Sequence, residues 1–369
     1  MSAPDARADA APRPRPAGAG YPAGRMRIRL GGDRSLLVRR RCLVVVVALL
    51  ALALAVAVLA VLTGAYNLSA ADAVRVLAGG GSDLDRFIVL GQRLPRVVAA
   101  ALIGAMLALS GALFQSLSRN PLGSPDIVGF TTGATTGGLL IILLSAASST
   151  TTIALGTTLG GFATAAAVVA VAARRGGAGE VIVLAGIALS QTLSAFNDYL
   201  LTRATIEEAE VAKAWQYGSL NAITWAQVRP LALGAAVLIP LAVWFSRPAA
   251  VLEMGDDAAA SLGVGVGRLR AAMVGYGVVL AAVCVSVAGP IGFLALAAPQ
   301  LAQRLARTPG LTLAVSAAMG TALLLIADLL AQRLLAPFQI PVGLLSAACG
   351  GLYLMWLLGV RGMDDAEGR

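Results

Sequence analysis

Ten apolar runs separated by short polar breaks order this chain from residue 42 to residue 360. The first, 42–62, holds about 20 apolar residues, enough to cross a ~30 Å hydrocarbon core. Nine more fall at 94–115, 128–146, 152–173, 180–201, 228–246, 271–289, 292–305, 311–331 and 343–360. The apolar core of a cleaved signal peptide is only ~7–15 residues, so 42–62 is read as a retained first helix. The eighth run is short and interrupted by Pro299. A broken segment of that kind is expected against protein or a water-lined cavity, not against lipid. Residues 1–41, rich in Ala, Pro, Gly and Arg, lack the apolar content to build a core and are expected to form a disordered cytoplasmic tail. The pattern predicts an all-α polytopic membrane protein, with a transmembrane domain over 42–361 and a short tail at 362–369.

Composition agrees. Of 369 residues, 58% are hydrophobic and 13% charged, about half the ~25% charged content of a soluble domain. The absence of histidine excludes His-based metal sites and Ser-His-Asp or Cys-His catalysis. Cys42, Cys284 and Cys349 form no CxxC and lie in apolar runs, so inert thiols are expected. The one lysine, Lys213, follows EEAEVA rather than a glycine-rich loop, so the chain carries no P-loop of its own. A net charge of +9 would fit nucleic acid, but the arginines flank apolar runs, where membrane orientation accounts for them. With ten spans and an inner N-terminus, 20 of the 28 basic residues fall inside and eight outside. That bias places both termini in the cytoplasm.

A few polar groups stand out from this background. Arg93 and Arg96 sit together on the expected outer side, against the inside bias; snorkelling at the interface is one explanation. Their spacing also sets both guanidiniums on one face at a helix start. Asp198 and Asp328 lie inside apolar runs, where acids are functional candidates by default, yet both fall near outer ends, within about a turn of Arg203 and Arg333. The segment 247–270 is the longest internal cytoplasmic loop. A GxGD protease motif there would need Gly at Glu253, and a GxGxxG fingerprint would need Gly at Arg268. Arg93-Leu-Pro-Arg96 opens the second span and Arg268-Leu-Arg270 the seventh. These two spans run in opposite directions, as inverted repeats would.

The stretch from Gln92 to Gly138 carries the most information. It contains Arg93, Pro95 and Arg96, then Ser110, Gly111 and Gln115, then Asn120, Pro121, Leu122, Gly123, Pro125, Gly129, Gly133 and Ala134. In these spacings it resembles the FecCD-type permeases of ABC importers, which take up iron-siderophores, vitamin B12 and haem. Leu184–Leu189, Trp215–Leu220, Gly289-Pro290-Ile-Gly292-Phe293 with Ala298-Pro299, and Ala327-Asp328 with Pro341-Val-Gly343 resemble later motifs of that family. The chain departs from the family pattern at Gln300, where a His is usual, at Gln332, where an outward Arg is usual, and at Gln339, where a Glu is usual. Arg333 stands beside the second of these positions.

The resemblance implies a type II ABC importer permease with inverted repeats and no bond chemistry or cofactor of its own. ATP would be bound by cytoplasmic ATPase subunits, and a second permease subunit would enclose the path, lined chiefly by the fifth and tenth spans. An extracytoplasmic binding protein would dock on Arg93, Arg96 and Arg333. The implied coupling segment is Gly255, Asp256, Asp257, Ala258, Ser261, Leu262 and Gly263, a short helix between glycines; an ordinary solvated loop is the blander reading. The implied cargo is a ferric siderophore, with the closing Gly350-Gly351-Leu-Tyr353 nearest the catecholate-type permeases; vitamin B12 or haem is the alternative within the family. The implied location is the bacterial cytoplasmic membrane, with lipid and no nucleic acid as surroundings. The competing class is an ion-coupled secondary transporter, which needs a midplane ionisable group or a cation site at a broken helix.

Overall fold

In the computed structural model the described residues are 25–29, 35–64, 66, 68–126, 129–145, 150–174, 179–308, 310–336 and 338–367. Within the stretch expected to be disordered, β1 (Arg25–Arg29) and β2 (Ser35–Arg39) pair antiparallel, with Arg25 opposite Arg39. Residues 1–24 lie outside the described residues. All else is helical: α1 (Arg40–Leu62), α2 (Ala70–Leu77), α3 (Asp83–Arg86), α4 (Leu94–Ser118), α5 (Phe130–Leu144), α6 (Thr150–Arg174) and α7 (Gly179–Arg203), followed by α8 (Ile206–Gln216), α9 (Trp225–Leu252), α10 (Asp256–Ser261), α11 (Val266–Ala288), α12 (Leu294–Ala306), α13 (Leu313–Arg333) and α14 (Val342–Glu367). Each of the ten expected spans has its helix; α2, α3, α8 and α10 are short additions. Helix α14 runs past its expected end at 360, so most of the expected tail 362–369 is helical.

Among the described residues, seven helices are long and apolar enough to cross a membrane. Among them, α3 and α4 form one continuous element, Asp83–Ser118, joined by a π-helical stretch, Phe87–Arg93. The indole Nε1 of Trp225 donates to the Leu90 carbonyl in that stretch at 2.7 Å, an inserted partner of the kind that stabilises a wide turn. By contrast, α5 and α12, of 15 and 13 residues, are only about 20 Å long at 1.5 Å per residue. Both begin at a left-handed residue, Gly129 (φ 81°) and Phe293 (φ 64°).

The packing pairs two halves. Helix α4 lies against α13, α11 lies against α6, and α4 and α11 pack on each other at the centre. Within each half the short helix forms a hairpin with its successor, α5 with α6 and α12 with α13. The C-cap Arg119 of α4 and Arg270 near the start of α11 meet on one carboxylate, so the two central helices run antiparallel. Gly104 and Gly320 let α4 and α13 touch backbone to backbone, and a Cβ on either would collide with the carbonyl of the other. In an apolar solvent, where hydrophobic burial drives little, such close approach supplies the dispersion that holds helices together.

Pro299 does not break the eighth span. Helix α12 is continuous through it, and the segment is buried. Pro299 has no N–H for the Ala295 carbonyl four residues back, and the backbone of α4 covers that oxygen at Gly111, where a Cβ would overlap it.

Candidate functional site

The polar groups gather at the two ends of the bundle and at one point within it. At the end where α10 lies, Gly255 (φ 115°) and Gly263 (φ 80°) bound the six-residue helix as the spacing predicts. Asp256 accepts hydrogen bonds from Arg119 and, at 2.8 Å, from Arg270. The short helix is therefore pinned to the meeting ends of α4 and α11, the central pair. Ala259 is buried, while Met254 (68% exposed), Asp257 and Leu262 (63% exposed) face outward. The element is two-sided, with an apolar exposed edge and a root ion-paired to the central helices.

At the opposite end the guanidinium of Arg96 forks onto Asp328: Nε donates to both carboxylate oxygens at 3.0 and 2.9 Å, and Nη2 donates to Oδ1 at 2.8 Å. Nη1 donates to Gln339 Oε1 at 3.0 Å, and Gln332 Nε2 donates to Asp328 Oδ2 at 2.8 Å. Asp328 is 2% exposed and Arg96 12%. The sequence set Asp328 near Arg333, but its partner is Arg96, 232 residues away, because α13 packs along α4. The departures Gln332 and Gln339 complete this cluster, each supplying a neutral amide to an ion already paired. Arg93 donates to the carbonyls of Val61 and Tyr66 at 2.9 and 3.0 Å, closing the end of α1. Arg93 and Arg96 both line a recess of about 730 Å³, with Gln92, Gln332 and Gln339 on its wall. Arg333 lines an adjoining groove that meets this recess at Gly64 and Tyr66. Asp198 Oδ1 lies 4.0 Å from Lys213 Nζ, and its side chain is 70% exposed.

Between the ends, the turn carrying Asn120, Pro121, Gly123 and Pro125 folds back into the bundle. Asn120 Oδ1 accepts the Leu122 N–H at 2.9 Å, an Asx turn. Gln300 donates to the Pro121 carbonyl, and Gln115 donates to Leu296 O at 2.9 Å. Where the family's histidine stands, this chain thus uses an amide to tie α12 to the turn. Asp126 then joins the two short helices, accepting from Thr131 Oγ1 in the first turn of α5 and from the backbone N–H of Phe293 at the start of α12. Gly111 packs on Ala295, and it lies eight residues before Arg119, about 12 Å along α4. The Asp126 junction is therefore well inside the bundle. Sequence reasoning passed over Asp126; the signal was a carboxylate just ahead of a small-residue helix, in position to meet helix N-termini.

The later motifs also converge. Ser219 N donates to Ala288 O at 2.8 Å, and Gly343 N donates to Gly218 O at 3.0 Å. Gly218 rests on the Pro290 carbonyl. Ser346 Oγ donates to Gly292 O at 3.1 Å. Motifs far apart in sequence, Trp215–Leu220, Gly289–Phe293 and Pro341–Gly343, thus form one structural knot around the left-handed Gly218 and Gly289.

Among the seven described helices long enough to span, α7 is the least buried, with 11% of its apolar window covered. Its exposed residues include Gln191, Thr192, Ser194 and Asp198. Thr192 donates to the Ala188 carbonyl at 3.0 Å within its own helix, whereas lipid offers no partner to Gln191 or Ser194.

These features coincide with a known group. Residues 49–359 match the FecCD transport family. The chain belongs to this family. Ferric enterobactin transport system permease protein FepG of Escherichia coli is 41% identical over 323 residues, 88% of this chain and 98% of that protein. Fe(3+)-citrate import system permease protein YfmE of Bacillus subtilis is 32% identical, covering 82% of this chain and 90% of YfmE. A metal-chelate type ABC transporter solved in an inward-facing conformation superposes with a TM-score of 0.74 at 26% identity, covering 86% of this chain and 99% of that one. The ten-helix architecture and the family assignment read from the motifs agree with these matches. Among the described residues, no cluster of three or more His, Cys, Asp or Glu is placed to hold a metal ion.

Proposed function

We propose that this chain is the permease subunit of an ATP-driven importer that moves a ferric siderophore of catecholate type into the cytoplasm across a bacterial cytoplasmic membrane. The observation that carries this reading is the 41% identity to a ferric enterobactin permease over 98% of its length. The exposed polar face of α7 supports a path enclosed with a second permease subunit, identical or homologous. Along that path, hydroxyl and amide groups replace water for a hydrophilic chelate, and the iron stays within its chelator.

The Asp256 end faces the cytoplasm in this reading. Closure of separate ATPase subunits on ATP would press on Met254 and Leu262, and the Asp256 pairs would pass the displacement to α4 and α11. The Arg96 end faces outward, and a binding protein would dock there by inserting carboxylates into the recess lined by Arg93 and Arg96. Such pairs are bidentate where Arg supplies the fork. In cells lacking endogenous permeases, expression of this chain with its ATPase and binding protein should restore uptake of iron-labelled tris-catecholate, and uptake of ferric citrate or hydroxamate should stay low. Equal uptake of all three would remove the catecholate assignment, and restored ferric citrate alone would replace it.

A further inference from the structure

Beside the end of α13 lies a groove of about 560 Å³. Its walls are the last turns of α1 and α13 with the chain leading into α2: Leu59, Leu62, Leu68, Leu329 and Leu330, with Arg333 at the rim. Leu59 and Leu330 are 48% and 41% exposed. Both belong to membrane-spanning helices, so the groove opens to the surface that such helices present to acyl chains. Just past Arg333 the chain exposes Leu334, Leu335 and Phe338 (56, 60 and 77%). An arginine between exposed leucines at the ends of two spans lies at the depth of lipid headgroups.

The charge at this rim is unbalanced. Arg333 and Arg93 are close enough to oppose one another electrostatically. Among the described residues neither has an ion-pair partner, and the nearby Asp328 is engaged by Arg96. An apolar trough closed at one end by an uncompensated cation complements a molecule with hydrocarbon chains and a phosphate.

The geometry points to a specific phospholipid site here, with an acyl chain between α1 and α13 and an anionic headgroup phosphate on Arg333. The groove adjoins the Arg93–Arg96 recess at Gly64 and Tyr66, and the proposal does not depend on the cargo. Its occupant is a lipid of the surrounding bilayer, and the shared apolar wall sets it apart from a docking protein's carboxylate.

Native mass spectrometry of the purified full-length chain in detergent, titrated with phosphatidylglycerol and phosphatidylcholine of matched chains, tests it. The unmodified protein should take up one phosphatidylglycerol per chain in preference to phosphatidylcholine. Arg333→Gln should weaken phosphatidylglycerol binding about fivefold, the scale for one basic residue near a lipid surface, and abolish the preference. Arg333→Lys should keep it. Leu330→Trp, which fills the trough, should weaken both lipids. If Arg333→Gln keeps the preference, or if Leu330→Trp binds lipid as the parent does while its melting temperature is unchanged, the site is not there. Loss of binding-protein affinity in Arg333→Gln with lipid uptake unchanged would likewise overturn it and make Arg333 a docking cation.

Discussion

Arg96 and Asp328 are the residues on which the end of the bundle opposite α10 is built. Asp328 is almost fully enclosed and carries three hydrogen bonds from one guanidinium. Removing one partner of such a pair leaves the other charge buried, a cost of about 3–5 kcal/mol. Asp328→Asn and Arg96→Gln should each lower the melting temperature of the purified protein substantially. The double variant should be less destabilised than the sum, because the pair acts as a unit. Additive losses would mean that the pair is not coupled. Arg93 binds only main-chain carbonyls, so Arg93→Gln should leave the Arg96 pair intact. If carboxylates dock in the recess, it should still weaken capture of the binding protein in nanodiscs, and Arg93→Lys should rescue poorly for want of the planar fork. Unchanged affinity would leave Arg93 as a cap on α1. At this scale the sequence was a partial guide. It singled out Arg96 and Asp328 and noted Arg333 within about a turn of the acid, but sequence distance hides the contact of α4 with α13 that makes Arg96 its partner. Asp126 went unnoticed because its partners are a neighbouring hydroxyl and a main-chain N–H on a helix far along the chain.

Elements were more legible than contacts. Apolar runs of membrane-spanning length admit helix as their structure, since every backbone polar group must be satisfied internally, and all ten runs are helical. What the pattern could not reveal was continuity through Pro299, which depends on Gly111 of another helix covering the freed carbonyl. Nor could it reveal that α3, the π stretch and α4 form one 36-residue element, since the wide turn is held by Trp225 from afar. The element most open to test is α10. Its root is ion-paired and its exposed edge carries Leu262. Leu262→Asp should leave insertion and thermal stability unchanged, since the side chain touches no core. It should cut ATP-driven uptake at least tenfold by placing a charge in an apolar contact with the ATPase. Parental uptake with normal complex assembly would show that α10 is an ordinary solvated loop.

At the scale of the whole molecule, two antiparallel halves exchange their third helices across the α4–α11 pair, and Asp126 joins the two short helices between them. In the proposed orientation the Asp256 end is inside. In a cysteine-free background, a cysteine at Ser82, exposed at the Arg96 end, should react with an impermeant thiol reagent added to intact cells, and one at Gly267 should not. The reverse would invert the topology and with it the roles of both ends.

The central claim is ATP-driven import through this chain. Its most direct test is uptake of a labelled ferric tris-catecholate into proteoliposomes that contain the permease with its ATPase, in the presence of the binding protein. The side carrying the ATPase is supplied with ATP, with a non-hydrolysable analogue, or with ion gradients alone. The account predicts accumulation with ATP only, abolished by the analogue and indifferent to a collapsed proton or sodium gradient. Accumulation driven by an ion gradient without ATP would contradict it and make the protein a secondary transporter.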